Sequence, residues 1–340
     1  MVMKLKLKPI REQVVVLVGA SSGIGRQAAI DFARRGARVV AAARDEEGLR
    51  SLQSEIEAAG GSTVTVTADT SDYEQVSRVG ERAVEVYGRI DTWVHLAAVS
   101  MYATFEQTTP DEWRRILDVN LNGQAYGAMV ALPHLRRAGG GALIHISSIE
   151  ARRALPYQSA YAASKHGITG MLEALRMELQ HDNVPISVSE IMPASINTPF
   201  FDKARTKLGV KPTGVPPMYD PKAVSEAILH AAEHPVREFV VGGAGKLLKW
   251  TQEVSPGLAD KFLMKVAFEG QKTNERKEAS APDNLYQPLP QYSSVEGGGA
   301  SHTSTYNWVE KHPVASKLML IGALTAAVTL MLRESGPPQA

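Results

Sequence analysis

Short apolar runs rich in β-branched residues alternate along the chain with longer segments whose apolar residues recur every three or four positions. The first pattern favours buried strands, and the second favours amphipathic helices. Seven runs precede residue 245, at positions 14–19, 37–43, 62–68, 91–97, 142–147, 185–191 and 237–243. Because short apolar strands separated by helices are typical of parallel sheets covered on both faces, the pattern predicts a doubly wound α/β sheet of about seven strands.

The pattern stops after about residue 270. Residues 271–313 are rich in Pro, Gly, Ser and Asn and lack helical periodicity, which is typical of an extended arm or a linker. Residues 318–332 then form an uncharged apolar run. We therefore divide the chain into an α/β domain at 10–245, an extension and linker at 246–313, and an apolar helix at 314–332.

The apolar helix is interpreted as a membrane anchor. With Lys317 reaching the interface, a helix that begins at Val314 spans about 28 Å, close to the hydrocarbon thickness of about 30 Å. The pair Gly322 and Ala326 could let two such helices touch. The alternative is a helix that folds back on the protein. The anchor would leave the α/β domain on the cytoplasmic side.

Composition excludes several classes of function. Net charge is +1 and the basic residues are scattered, so no nucleic-acid surface is predicted. The absence of cysteine excludes disulfides, thiolate nucleophiles and cysteine-ligated metals. No residue cluster has metal-ligand spacing, so no metal site is predicted. The cationic N-terminus lacks a long apolar stretch and is interpreted as a lead-in to the first strand, not a signal peptide.

A glycine-rich loop lies between the first strand and the first helix, in the stretch GASSGIGR at 19–26. Glycines there let a pyrophosphate approach the backbone, and the positive end of the helix favours the anion. The loop predicts a dinucleotide site that includes Gly19, Ser21, Ser22, Gly23, Ile24 and Gly25.

The end of the second strand indicates which dinucleotide binds. It reads Ala43-Arg44, where NAD-binding proteins carry an acid. Arg44 suits a 2′-phosphate, and Arg26 could add a second charge. The alternative is that both arginines are solvated and Asp45 supplies the acid. We expect NADP(H) to be favoured over NAD(H).

Tyr161 and Lys165 are four residues apart in a helical segment, so they share one helix face. Alone, that spacing is also typical of a solvated surface. Asn120 and Ser148 precede them, and PASINTP at 193–199 follows. With the glycine loop and Asp69, these motifs resemble the short-chain dehydrogenase/reductase family in its compact one-domain form, over roughly residues 10–245.

The resemblance implies a Rossmann-type fold and a role for each matching residue. Tyr161 would be the general acid or base, and Lys165 would stabilise its phenolate and hold the nicotinamide ribose. Ser148 would bind the substrate oxygen, and Asn120 would link Lys165 to solvent through a water molecule. Beyond the glycine loop, the implied cofactor-binding residues are Arg44, Asp69, Thr70, Ala97, Asn120, Tyr161, Lys165, Pro193, Ile196 and Thr198.

The implied function is an NADP(H)-dependent oxidoreductase that interconverts a carbonyl and a secondary alcohol. The alternative is a nucleotide-binding redox sensor on the same fold. The segment at 200–220 is expected to cover the substrate, and an apolar small molecule is indicated by Phe200, Phe201, Leu208, Met218 and Tyr219. Relatives pair through two helices, here at roughly 156–180 and 111–137, which predicts a homodimer or homotetramer.

The chain departs from the family at the end of the fourth strand. Relatives usually carry Asn-Asn-Ala-Gly, and here residues 95–98 read His-Leu-Ala-Ala. The missing amides put part of the bracing of the sheet in doubt, although the cofactor is still expected to bind. His95, His145 and His166 are interpreted as structural residues.

Overall fold

A parallel sheet of seven strands forms the centre of the computed structural model, which describes residues 5–299, 301 and 302. All seven predicted strands are present. Their bounds are β1 Val14–Val18, β2 Arg38–Ala43, β3 Ser62–Thr67, β4 Thr92–His95, β5 Gly141–Ile146, β6 Ile186–Pro193 and β7 Glu238–Val241. The order across the sheet is β3-β2-β1-β4-β5-β6-β7. The predicted doubly wound α/β fold is therefore confirmed.

Helices cover both faces of the sheet. They are α1 Gly23–Arg34, α2 Glu46–Ala58, α3 Tyr73–Tyr87, α4 Pro110–Leu117, α5 Gly123–Arg137, α6 Ser159–His181, α7 Phe200–Lys203, α8 Pro221–Glu233, α9 Gly243–Val254 and α10 Pro256–Gly270. One core cluster joins the sheet to α1, α2 and α8, and another joins it to α3, α5 and α6. Along β1, Val15 and Leu17 belong to the first cluster, whereas Val16 and Val18 belong to the second. This double burial explains why the strand is apolar at every position.

The strand order determines where a ligand can bind. The chain leaves β1 towards β2 and β3, then crosses back to β4 on the other side of β1. In doubly wound sheets, the cleft at such a reversal, outside the carboxyl ends of the strands, is where ligands bind. The glycine loop follows β1 directly, so it lies at this cleft.

His95 is a core residue, as predicted. It is fully buried at the end of β4, and its Nε2 lies 2.8 Å from Thr70 Oγ1. A Cβ at Gly127 would lie 2.2 Å from His95 Nδ1, so the imidazole fits only because α5 has a glycine there. Burial lowers the pKa of His95 well below its ordinary value, so the ring is neutral. The His95 ring thus packs the end of β4 against α5 at Gly127.

The segment after β7 is folded onto the domain. Helix α9 begins at Gly243, α10 follows it, and strand Lys272–Arg276 pairs antiparallel with Val210–Pro212. From 277 onwards the described chain is an extended arm whose regular structure is a single short turn at Pro290–Tyr292. The apolar segment 314–332 lies outside the described residues. Within the described part, no helix is both long enough and apolar enough to cross a membrane.

Candidate active site

A cavity of about 250 Å³ opens at the carboxyl ends of β1, β4, β5 and β6. It extends from Arg44 and Asp45 at one end to Ser148 and Tyr161 at the other. Phe200 and Phe201 also line that second end, and they belong to the segment at 200–220, called the lid below. The predicted residues that line it are Gly19, Ser21, Ser22, Gly23, Ile24, Gly25, Arg44, Thr70, Ala97, Ser148, Tyr161, Lys165, Pro193, Ile196 and Thr198. Asp69 and Asn120 do not line the cavity.

The glycine loop is shaped by close backbone contacts. Gly19 has φ +97°, and a Cβ there would lie 2.6 Å from the Ala97 nitrogen. A Cβ at Gly25 would lie 2.0 Å from the Gly19 oxygen. The loop thus places the start of α1 against the cleft, with no acidic residue in the first turn. A helix start of this kind suits a pyrophosphate, so the residues present fit a dinucleotide.

Tyr161, Ser148 and Lys165 meet on one wall of the cavity. Lys165 Nζ lies 5.3 Å from the centre of the Tyr161 ring, and Ser148 lines the cavity together with both residues. Lys165 Nζ also donates to the Ile146 oxygen at 3.1 Å. All three side chains are buried. The helix spacing thus brings together the groups needed to move a proton at a substrate oxygen.

Burial controls the protonation of this wall. It raises the pKa of the Tyr161 phenol above its ordinary value, and the charge of Glu150 raises it further, whereas the Ser148 side chain lowers it. Burial also lowers the pKa of the Lys165 ammonium to about 8, against the attraction of Glu190 and Glu150. In the free protein near neutral pH, the Tyr161 phenol is therefore protonated. The pKa of Lys165 lies within about one unit of that pH.

Asn120 acts on the backbone of the site. It lies in a π-helical turn, Asp118–Asn122, between α4 and α5, a feature often found at functional sites. Its amide accepts from the Val99 nitrogen at 2.8 Å and donates to the Val99 oxygen at 2.9 Å. It also donates to Ser164 Oγ at 3.3 Å. The Asn120 side chain thus holds the segment that follows β4 against α6, the helix that carries Tyr161.

Asp69 is engaged by its neighbours. Its carboxylate accepts hydrogen bonds from Arg115 at 2.7 Å and from Ser71 at 2.8 Å. Although burial opposes it, these bonds lower the pKa of the Asp69 carboxyl. Arg44 Nη1 lies 3.7 Å from the same carboxylate. Asp69 therefore positions Arg44 at the edge of the cavity.

The other two charges considered for the nucleotide are used elsewhere. Arg26 points into the interface of α1 and α2, where it binds Glu55 at 2.9 Å and Ser51 at 3.0 Å. The idea that Arg26 adds a charge to the site was therefore wrong. Asp45 caps α2 by accepting from the Gly48 nitrogen at 3.0 Å, and it also accepts from the Ser293 hydroxyl. Both of its oxygens are thus engaged within the protein.

The C-terminal arm covers the nucleotide end of the cavity, which no sequence pattern indicated. Arg44 donates to the Asn284 oxygen at 2.7 Å and to the Tyr286 oxygen at 3.0 Å. The Gly23 nitrogen donates to the Ser294 oxygen at 2.8 Å. Asn284, Pro288 and Leu289 line the cavity itself. The arm is therefore part of the site.

The lid contributes fewer apolar side chains than expected. Phe200 and Phe201 line the cavity, but Leu208, Met218 and Tyr219 do not. Tyr219 instead packs against Gly242, where an added Cβ would lie 2.6 Å from its ring. The lid's cavity-facing surface is therefore smaller than its composition indicated.

Glu150 is a further cavity residue that the sequence reasoning missed. It lies two positions after Ser148 and lines the cavity, although it is 5% exposed. Its one hydrogen-bond donor from the described residues is the Leu155 nitrogen, at 3.4 Å. Burial raises the pKa of its carboxyl to about 8. Its position two residues after Ser148 is the sequence feature that could have predicted it as a residue of the site.

Comparison with known proteins agrees with this geometry. Residues 13–209 match the family model of the short chain dehydrogenases. Uncharacterized oxidoreductase YxnA of Bacillus subtilis is 36% identical over 340 residues, which cover 97% of this chain and 94% of that protein. Dehydrogenase/reductase SDR family member 7B of Bos taurus is 31% identical over 280 residues, 79% of this chain and 84% of the relative. 3beta-hydroxysteroid dehydrogenase 1 of Eggerthella lenta is 36% identical over 192 residues, 56% and 73% of the two chains.

This chain therefore belongs to the short-chain dehydrogenase/reductase family, and it is an oxidoreductase that acts on CH–OH groups with NAD(P). Its match to the Bacillus subtilis oxidoreductase runs through the C-terminal extension, well beyond the family's shared segment.

Glu150 gives the first testable prediction. Because its pKa rises from an ordinary value of 4.5 to about 8, the folded protein holds a proton that the unfolded chain releases over this range. Its contribution to stability is present below pH 4.5 and is lost as the pH rises towards 8. Glu150→Gln removes the titration. Between pH 5.5 and 7.5 we expect the variant to gain roughly 2–3 kcal/mol in unfolding free energy relative to wild type.

Urea unfolding at the two pH values measures the difference, and any constant cost of the amide cancels. Glu106→Gln, at an exposed position, is the matched control. Parallel pH profiles for wild type and Glu150→Gln would contradict the assignment of a buried protonated carboxyl.

Proposed function

We propose that the protein is an NADP(H)-dependent oxidoreductase that interconverts a carbonyl and a secondary alcohol, with Tyr161 as general acid and base. The observation that carries the proposal is the convergence of Tyr161, Ser148 and Lys165 on one wall of the cavity, with Arg44 at its other end.

A nicotinamide nucleotide held by the glycine loop and Lys165 would supply a hydride to the carbonyl carbon during reduction and would accept one from the alcohol carbon during oxidation. Tyr161 donates its proton to the carbonyl oxygen during reduction and takes it back during oxidation. Ser148 donates a hydrogen bond to the oxygen as negative charge develops there. The Lys165 ammonium, 5.3 Å from the centre of the ring, favours the phenolate that Tyr161 becomes.

The preference for NADP(H) rests on Arg44. It is the cation at the end of β2, and its guanidinium is held at the cavity edge by Asp69 and by the arm. Asp45, the acid that would favour NAD(H), is occupied as a helix cap. A forked cation at this place suits a phosphate better than ribose hydroxyls.

The proposed substrate is an apolar small molecule. Phe200, Phe201, Leu155 and Val215 line the far end of the cavity. The relative named as a 3beta-hydroxysteroid dehydrogenase supports an apolar secondary alcohol as a reasonable class. No observation on the described site favours the alternative of a redox sensor over an enzyme.

We also propose a homodimer or homotetramer that pairs through α6 and through the segment at roughly 111–137, which forms α4 and α5. Met129 on α5 and Met177 on α6 are more than half exposed, at 57% and 66%. Exposed methionines on both helices fit a surface that a second copy covers.

Tyr161→Phe tests the catalytic assignment. The ring still packs but has no proton to transfer, so turnover should fall by about a hundredfold or more, while NADPH affinity stays within about threefold. A substrate from a screen of carbonyls and alcohols, followed by NADPH absorbance, gives turnover, and NADPH fluorescence gives affinity. Tyr87→Phe, whose hydroxyl bonds Ser62 far from the cavity, is the control. More than a tenth of wild-type turnover in Tyr161→Phe would overturn the role.

Arg44→Ala tests the cofactor preference. The dissociation constant for NADPH should rise by at least about tenfold and that for NADH by less than about threefold, because only NADPH carries the phosphate. Fluorescence titration of both nucleotides measures this. Arg50→Ala, on the exposed surface of α2, is the matched control. Equal losses for both nucleotides, or a wild-type preference for NADH, would contradict the proposal.

We propose on sequence alone that residues 314–332 anchor the chain in a membrane, with the described domain on the cytoplasmic side. Fractionation of cells that express the full chain, beside a version that ends at Pro313, tests this. The full chain should require detergent and the shorter version should not. Recovery of the full chain without detergent would end the anchor proposal.

A further inference from the structure

We propose that Lys203 is a second phosphate-binding cation, which binds the 2′-phosphate of NADP(H) together with Arg44. This inference rests on the proposed function and extends it, because it assigns a nucleotide-specificity role to a residue of the lid.

Lys203 lies inside the nucleotide end of the cavity. It is the last residue of α7 and is 8% exposed. Its Nζ donates to Ser22 Oγ at 2.7 Å, and both residues line the cavity beside Arg44. Ser22 precedes α1, but its side chain does not cap that helix. The ammonium is thus positioned at the start of α1 from the opposite side of the cleft.

The charge of Lys203 is poorly compensated. Within the described part of the chain, its Nζ forms no ion pair, and its one hydrogen-bond partner is the Ser22 hydroxyl. Asp45 attracts it from a distance, but both Asp45 oxygens already accept other bonds. Burial and then repulsion from Arg44 lower its pKa to about 8, against Asp45 and Asp202. A buried cation without a close counter-ion is costly. A phosphate between Lys203 and Arg44 would supply that counter-ion and would offset the repulsion between the two cations.

The arm holds the two cations in a common arrangement. The Asn284 nitrogen donates to the Lys203 oxygen at 2.9 Å, while the Asn284 oxygen accepts from Arg44 at 2.7 Å. One residue of the arm therefore contacts the main chain of one cation and the side chain of the other. The arm thus orders the Arg44 side chain, while the bond to Ser22 orders the Lys203 side chain, so less conformational freedom is lost when a phosphate binds.

A purely structural role for Lys203 would give a different result. If the bond to Ser22 only held α7 against the glycine loop, its loss would weaken all nucleotides alike. If Lys203 binds the 2′-phosphate, its loss would weaken only nucleotides that carry that group. The two small probes that separate these cases are 2′,5′-ADP and 5′-AMP.

The experiment is isothermal titration calorimetry of the full chain with each probe. Lys203→Gln removes the charge but keeps a donor for Ser22. We expect its dissociation constant for 2′,5′-ADP to rise by about tenfold to a hundredfold, as for loss of one hydrogen bond to a charged group, with 5′-AMP unchanged within about twofold. Lys203→Arg should keep most of the affinity. Lys222→Met, at an exposed position on α8, controls for the loss of one positive charge.

The outcomes separate the two proposals. If wild type binds 2′,5′-ADP no better than 5′-AMP, the preference for NADP(H) fails, and the role of Lys203 fails with it. If wild type prefers 2′,5′-ADP but Lys203→Gln loses nothing, or loses both probes equally, the role of Lys203 alone is overturned.

A measurement on wild type covers the case in which the variants do not fold. Acetylation of Lys203 by an amine-reactive reagent is followed by mass spectrometry, with and without each probe. Saturating 2′,5′-ADP should slow acetylation of Lys203 several-fold more than saturating 5′-AMP does. Equal protection by the two probes would overturn the assignment.

Discussion

The nucleotide cleft depends on the close contact between the start of α1 and the ends of β1 and β4. Gly19 meets the backbone of Ala97, and Gly25 meets the backbone of Gly19, at distances that leave no room for a Cβ. A side chain at either position would push α1 away from the sheet. Ser22 would move with α1, and its hydrogen bond with Lys203 of the lid would then be lost.

Most of the fold could be predicted from the sequence because the strands are buried on both faces. Alternate residues of β1 enter opposite core clusters, so the run is apolar throughout and stands out from its neighbours. The ends of the strands were predicted less accurately than their positions in the chain. β6 continues to Pro193 because that residue still pairs with Val241 of β7, a contact between segments that are distant in sequence.

The site could be predicted only where its chemistry is local in sequence. Tyr161 and Lys165 share a helix face, and the glycine loop is one continuous stretch, so spacing alone brings these groups together. Lys203 and Ser22 are 181 positions apart, and Arg44 and Asn284 are 240 apart. No local pattern encodes such pairs. Arg26 shows the converse, since its place beside the glycine loop suggested a phosphate ligand, but Glu55 on the next helix binds it.

The cavity includes residues of the C-terminal extension, which lie outside the segment that matches the family model. The family match ends at residue 209, yet Gln271, Asn284, Pro288 and Leu289 line the same cavity. The arm binds Arg44 through main-chain carbonyls, so these bonds do not depend on the identity of the arm's side chains. A guanidinium has five N–H donors, and two such bonds leave others for a phosphate. The arm can therefore orient Arg44 without using up its capacity, which is why a segment that reads as a linker can belong to a binding site.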